Sequence, residues 1–449
     1  IASIQELYGR KGYIQVQIRP EFSFEEEENK VNIQYTISEG PKVFVNNIFI
    51  NGNFVTKEYV IKRHLQISKG DPFDISKVRS SQRQIFQLGF FRDVQINILP
   101  TESPNNTDLV FKVEEQKTGT ASIGAGYSTQ DKLVGTVQIS QDNLFGRGQK
   151  LSLMWEFGRR KQNYRIDFDE PYLFNTPTPF SVSAYNTIRT RYYQEEDYTE
   201  NRAGGSLSLG RHFTGDFSGY LKYTLEQVKV ENVSPGIRDE LSEESDITSG
   251  VTPTLIYDSR DYPFDPSTGI FLRGSNQVAG GIFGGTQDFL KFESKTTYFK
   301  PVWKRLVGVL NLETGIVAEY GDTPEVPVYE RFDVGGAESV RGYESWGDIG
   351  APEGGKYKLV LNAELKFPIF SEKGQTILQG AFFYDVGSSW TDFEDITLRT
   401  GTGRNNLRRG AGMGIRFKTR AFPIRLDWGY GIDKIPKEWS WYFTLGDIF

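Results

Sequence analysis

The stretch 356–370, KYKLVLNAELKFPIF, places apolar side chains at Tyr357, Leu359, Leu361, Ala363, Leu365, Phe367 and Ile369, with Lys358, Asn362, Glu364 and Lys366 between them. Successive side chains of a strand point to opposite faces, so a period of two makes one face apolar and the other polar. IRLDWGY at 424–430 repeats the pattern, with Ile424, Leu426, Trp428 and Tyr430 against Arg425 and Asp427. FSGYLKYTLE at 217–226 does the same, with Phe217, Leu221 and Tyr223 against Lys222 and Glu226. A soluble β-sandwich alternates in this way too, so strand number, strand length and loop pattern must decide. From Thr118 onward about sixteen such segments follow, each of the roughly 9 to 11 residues or more that a tilted strand needs to cross a bilayer. Short connections such as FGRG (145–148), FTGD (213–216), KRLV (304–307) and TRAFP (419–423) alternate with long polar ones near 231–248, 320–356 and 391–405. Long loops are therefore expected on one side only. An open sheet edge cannot be satisfied in lipid, so the sheet must close into a barrel.

Composition agrees with that reading. Phe (33), Tyr (23) and Gly (47) are abundant, which favours strands, tight turns and aromatic girdles over helical bundles. No run of the roughly eighteen apolar residues that a membrane helix needs occurs. The 52 Lys+Arg are outnumbered by 58 Asp+Glu, giving a net charge of -6, which argues against a nucleic-acid partner bound through a basic surface. The absence of Cys excludes a disulfide framework. The chain opens inside a helical pattern, IASIQELYGRKGY, with no basic leader or cleavage site, so an N-terminal truncation with its export signal upstream is expected.

Residues 1–116 read differently. Thr56 stands before Lys57, Glu58, Val60, Ile61 and Leu65 as a Thr N-cap, which predicts a helix over about 57–67. Asp74 leads into Val78, Ile85, Phe86 and Leu88, a second helix stopped at Gly89. VFVNNIFINGN (43–53) precedes them, and DVQINILP (93–100) and TDLVFKVEEQ (107–116) follow, all as strands. Within this order, Ile48, Gly52, Asn53, Thr56, Val60, Leu65, Gly70, Phe73, Leu88, Gly89, Phe90 and Phe91 resemble the pattern of a POTRA module. Tyr8, Gly12, Tyr13 and VNIQYTISEG (31–40) resemble the rear half of another. The expected division is a partial POTRA module over 1–40, a complete one over 41–116 and a transmembrane barrel over 117–449 whose loop 320–356 folds inward. The resemblance implies periplasmic modules that receive unfolded chains or accessory subunits.

Beyond the module, VEEQKTGTASIGAGYSTQ (113–130), QDNLFGRGQ (141–149), DEPYLF (169–174), SVRGY (339–343) and FYDVGSSW (383–390) follow in order, and the whole resembles the BamA-like family of outer-membrane barrels. The last strand, WSWYFTLGDIF, sets Trp441, Phe443, Leu445 and Phe449 at period two, similar to the C-terminal signal of outer-membrane proteins, with Asp447 interrupting it.

Catalysis finds little support. His64 and His212 fall in separate predicted units, which disfavours a Ser/His/Asp or His-rich metal site. The acidic runs EEEEN (25–29) and LSEESD (241–246) read as solvated loop charge. Arg341 is more informative. Alternation sends Glu364 inward from the twelfth barrel strand and Asp385 inward from the thirteenth, and Gly410, Gly412 and Gly414 line the inner face next to them. A loop folded into the lumen would bring the guanidinium to two carboxylates. In the family resembled, a VRG-aromatic motif docks inside the barrel, and here Arg341, Gly342 and Tyr343 supply it. At the other end of the barrel sequence, Gly119, Gly124 and Gly126 thin the first strand. Fewer cross-strand pairs predict a weak lateral seam with Phe443, Leu445 and Phe449 of the last strand.

The expected fold is membrane all-β: about sixteen antiparallel transmembrane strands in a barrel preceded by small α/β POTRA modules. The function that the resemblance implies is folding and insertion of β-barrel proteins into the bacterial outer membrane, without enzymatic chemistry, nucleotide or metal. Its partners would be unfolded outer-membrane clients, periplasmic accessory subunits or lipoproteins, and the bilayer. The alternatives are a related barrel that secretes a polypeptide through its lumen or serves another assembly complex, a passive porin, and an outer-membrane lipase or protease.

Overall fold

The computed structural model describes residues 1–449 except 26–29, 129–131, 194–195, 236–242, 264, 345–347, 352, 373–374, 419–422 and 446–449. Two compact units result, one of residues 1–120 with 140–151 and the other of 121–139 with 152–449. No helix among the described residues is long and apolar enough to cross a membrane.

The first unit opens with α1 (Ala2–Gly9) and a hairpin of β1 (Gln17–Glu25) and β2 (Lys30–Ser38). A three-stranded sheet follows from β3 (Phe44–Asn51), β4 (Phe91–Pro100) and β5 (Asn106–Glu115), with β5 central, parallel to β3 and antiparallel to β4. Two helices lie between β3 and β4, α2 (Glu58–Lys62) and α3 (Ile75–Gln87). Asp74 caps α3 by accepting from the Ser76 and Lys77 amides, and Gly89 follows the helix end at φ +73, a left-handed position that favours glycine. Val60, Ile61, Val78 and Ile85 bury the apolar stripes of α2 and α3 against Leu109 and Phe111 of β5. Each such side chain contributes about 1.5–3 kcal/mol relative to exposure.

The Thr56 expectation needs correction. The helix begins after Lys57 and spans only Glu58–Lys62, and it has no side-chain cap. Thr56 is buried, donates its amide to Glu115 Oε1 at 2.6 Å, and accepts from Asn143 Nδ2 at 2.9 Å through its hydroxyl. Phe54 and Val55 also donate their amides to the Glu115 carboxylate. Burial raises the Glu115 pKa, but these bonds outweigh it and hold the carboxyl below its ordinary value. Tertiary partners thus replace the local cap.

The second architecture is a closed barrel of sixteen strands. In chain order they are β6 (Gly119–Ser128), β7 (Lys132–Leu144), β8 (Gln149–Gly158), β9 (Lys161–Glu170), β10 (Phe180–Tyr193), β11 (Glu196–His212), β12 (Phe217–Glu231) and β13 (Glu244–Asp258). They continue as β14 (Gly269–Ala279), β15 (Phe289–Trp303), β16 (Leu306–Glu319), β17 (Tyr357–Glu372), β18 (Gln375–Trp390), β19 (Arg408–Lys418), β20 (Pro423–Gly431) and β21 (Trp439–Leu445). Each strand neighbours the next in sequence, and β21 returns to β6. Leu221, Leu361, Phe382 and Trp441 on the outer face are 45–59% exposed, whereas Glu226, Asp385 and Asp427 on the inner face are at most 8% exposed. Apolar outside and polar inside is the pattern that lipid imposes on a barrel. The loop pattern needs a second correction. Connections 171–179 and 259–268 lie at the end where β6 begins and are not short, while 159–160 at the opposite end is a tight turn. The second of these connections, 259–268, is folded back by Asp261, whose carboxylate accepts from the Ser267 and Thr268 amides.

Candidate functional site

The connection from β16 to β17, residues 320–356, turns into the barrel rather than away from it. Val334, Val340, Tyr343 and Ile349 of this loop are buried with Val360 of β17. Arg341 is 2% exposed. Its Nε and Nη2 donate to the two oxygens of Asp385 at 2.7 Å each, a bidentate pair, and its backbone amide donates to the same carboxylate at 3.1 Å. Its Nη1 donates to Glu364 Oε1 at 2.6 Å and reaches Asp427 Oδ2 at 3.4 Å. The guanidinium also lies over the Phe383 ring, 3.4 Å from its centroid.

Sequence periodicity placed Glu364 and Asp385 on the inner face, and the structure brings Arg341 to both. Asp427 was on the polar face of IRLDWGY but unassigned. It lies opposite Gly414 in the β19–β20 ladder, a register that the local pattern cannot reveal. Arg416 also donates to Asp427 and approaches Glu364 at 3.6 Å, and Arg425 donates to Asp427 at 2.6 Å and to the Ala337 carbonyl at 3.1 Å. Three guanidinium groups therefore face three carboxylates, and mutual pairing offsets the cost of burying them.

The inner-face glycines admit three different groups. A Cβ at Gly410 would lie 1.9 Å from the Arg341 carbonyl oxygen, one at Gly412 would meet the Phe383 ring, and one at Gly414 would meet the Asp427 carboxylate. Two further glycines, Gly429 and Gly431, were not singled out from the sequence. Cβ atoms there would come within 2.6 Å of the Gly342 nitrogen and 2.8 Å of its oxygen. Gly342 itself holds φ +100, a conformation that a side chain would strain. Tyr343 is buried, donates its hydroxyl to the Arg409 carbonyl at 3.0 Å and accepts from the Asp433 amide at 2.9 Å.

The loop has a second attachment that sequence reading did not find, because the segment around 328–330 shows no period. Arg202 donates to the Tyr329 carbonyl at 2.9 Å and to Glu330 Oε1 at 3.1 Å; Lys291 donates to Glu330 Oε2 at 3.0 Å; and the Tyr329 hydroxyl donates to Asp246 at 2.8 Å. These partners come from β11, β13 and β15, whereas Arg341 docks on β17, β18 and β20. The loop thus binds two separate stretches of the inner wall.

At the seam, Gly119, Gly124 and Gly126 lie in β6, and Phe443 and Leu445 lie in β21, where Leu445 pairs with Tyr127. Phe449 lies outside the described residues. A Cβ at Gly124 would meet no atom within 4 Å, so no close approach demands glycine there. His64 and His212 fall in different units. Among the described residues, no group of three or more His, Cys, Asp or Glu is placed to hold a metal ion.

Residues 43–116 match the POTRA family model, described as a surface antigen variable number repeat. Residues 143–449, more than half of the chain, match the model of the Omp85 superfamily domain. The outer membrane protein assembly factor BamA of Nitratidesulfovibrio vulgaris is 27% identical over 96% of this chain and 54% of the relative. The factor of the same name from Neisseria meningitidis serogroup B is 27% identical over 100% of this chain and 62% of the relative. The chain therefore spans little more than half of the length of these relatives. The crystal structure of BamA from Haemophilus ducreyi lacking POTRA domains 1-3 superposes with a TM-score of 0.84, covering 99% of this chain and 91% of that one at 20% identity, which speaks for the fold. A sixteen-stranded barrel with an inward loop, behind a POTRA module and matched by that family model over most of its length, has one assignment: the chain belongs to the Omp85 superfamily.

Proposed function

We propose that the chain folds β-barrel proteins and inserts them into the bacterial outer membrane, and that it is the barrel-bearing part of a longer assembly factor. The carrying observation is the match of relatives named outer membrane protein assembly factor over 96% and 100% of this chain. In this reading residues 1–40 and 41–116 are periplasmic POTRA modules and 117–449 is the transmembrane barrel. Unfolded clients are the substrate, and accessory periplasmic subunits or lipoproteins are the partners.

No enzymatic step is needed. A client strand gains stability by burying its apolar face in lipid and by satisfying its backbone hydrogen bonds, and the factor lowers the barrier by offering a template edge. The edge assigned here is the seam between β6 and β21, marked by Gly119, Gly124, Gly126, Phe443, Leu445 and Phe449. Exchanging one set of ladder hydrogen bonds for another costs little net free energy. Arg341, Gly342 and Tyr343, with Glu364 and Asp385, hold the loop that keeps the neighbouring wall in shape.

The alternative of polypeptide secretion through the lumen requires the loop to clear two attachments, each made of buried charge. Reconstitution in liposomes with an unfolded outer-membrane client separates the two. Insertion predicts a folded, protease-resistant client in the bilayer; appearance of soluble client across the bilayer would replace this reading with secretion.

A further inference from the structure

The tripeptide Arg341–Gly342–Tyr343 touches five consecutive strands, the last five before the seam. Arg341 bonds Glu364 of β17, Asp385 of β18 and Asp427 of β20, and the Tyr343 hydroxyl bonds the Arg409 carbonyl of β19. The fifth contact is made by β21. The Tyr442 hydroxyl accepts from the Gly342 amide at 2.9 Å and donates to the Tyr343 carbonyl at 2.7 Å. Tyr442 is 5% exposed, so water does not compete freely for these groups. It also stands directly opposite Asp427 in the β20–β21 ladder, so the same short stretch of loop grips both strands of that pair.

We propose that Tyr442 is a latch that couples docking of the loop to the position of the terminal strand. If β21 moves away while the loop stays, the Gly342 amide is left buried without its acceptor. That state is disfavoured, so β21 leaves readily only when the loop loosens too. Coupling of this kind is reciprocal: whatever frees β21 weakens loop docking by the same factor. The inference rests on the seam reading for its biological use, but the coupling is a property of the barrel alone.

Hydrogen exchange of the chain in lipid nanodiscs tests it. Tyr442→Phe keeps the ring and removes only the hydroxyl, and it should speed exchange of amides in 439–445 and in 336–344 by about tenfold or more each, because both buried hydrogen bonds of that hydroxyl are lost. Arg341→Ala should also speed exchange in 439–445, and adding Tyr442→Phe to it should speed β21 no further, because the latch is already open. Unchanged β21 exchange in Tyr442→Phe, or fully multiplicative effects in the double variant, would overturn the proposal. If Tyr442→Phe yields no barrel, the unaltered chain still decides: the Gly342 amide must open in the same denaturant-dependent event as the β21 amides, and a separate event overturns the latch. Client assembly measured alongside keeps the two ideas apart. Loosened β21 with unaltered assembly would leave the latch standing and remove the seam from the mechanism.

Discussion

Replacing Arg341 by alanine leaves three inward carboxylates facing two guanidinium groups. The lost contacts are two 2.7 Å bonds to Asp385, one of 2.6 Å to Glu364 and a longer one of 3.4 Å to Asp427. Charge-assisted hydrogen bonds are worth about 1.5–3 kcal/mol each, but their sum is an upper bound because the neighbours keep other partners. Glu364 and Asp427 retain Arg416, and Asp427 retains Arg425. Asp385 retains Asn362 Nδ2 at 2.8 Å and the backbone amide of residue 341. The net loss is therefore about 3 kcal/mol, the lower end for removing one partner of a buried ion pair. A 3 kcal/mol loss corresponds to roughly a hundredfold in the opening equilibrium. Hydrogen exchange should show it as faster exchange in 336–344, with 326–332 protected as before, because Arg202 and Lys291 still hold Tyr329 and Glu330. Arg341→Lys keeps the charge but cannot form the bidentate pair and should fall between the two. Unchanged exchange at 336–344 in Arg341→Ala would refute the reasoning; equal loosening of both halves would refute the independence of the attachments.

Gly342→Ala should undock the same segment at a cost of about 3 kcal/mol or more, read as a lowered unfolding temperature of the barrel, because a Cβ there would lie 2.5 Å from the Gly431 nitrogen at φ +100. Gly124→Val meets open space and adds β-propensity, so it should stabilise β6 by about 0.5–1 kcal/mol and slow client insertion in liposomes. Faster insertion would count against a seam that works by weakness. His64 titrates, on this account, at about 4, lowered from 6.5 by burial and by the neighbouring Arg63, which ring-proton chemical shifts can check. Below about pH 6.5 the unfolded chain takes up a proton that the folded module refuses, so stability falls as pH drops from about 6.5 to 4 and then levels. After discounting for partial exposure, the loss is ~1–2 kcal/mol, and His64→Gln should flatten it.

The strands were legible because lipid outside and water inside impose a period of two that no tertiary detail overrides. The same period carried Glu364 and Asp385 to the correct face, and SVRGY supplied their cation. Asp427, Gly429 and Gly431 stand together in DWGYG, yet the meeting of Asp427 with Arg341 and of the two glycines with Gly342 depends on the β19–β20 register and on where a loop more than eighty residues earlier comes to rest. Tyr442 was hidden differently. In WSWYFTL the period two draws attention to Trp441 and Phe443, and the inward residue between them reads as filler. Thr56 does not cap its helix because Glu115 and Asn143, distant in sequence, engage its amide and hydroxyl instead. The Tyr329 and Glu330 attachment has no signature, since a loop without periodicity gives no phase from which to infer a facing wall.

Tyr127 and Leu445 are Cα partners across the seam, which makes them the positions at which to lock it in a chain that has no cysteine. Facing positions in an antiparallel pair lie at about 4.5–5.5 Å, within disulfide range. The decisive measurement is insertion of an unfolded outer-membrane client into liposomes by Tyr127→Cys/Leu445→Cys, before and after oxidation and again after reduction. Opening of the seam predicts insertion in the reduced protein, its loss when the cross-link is complete, and its return on reduction; full insertion by completely cross-linked protein would contradict it.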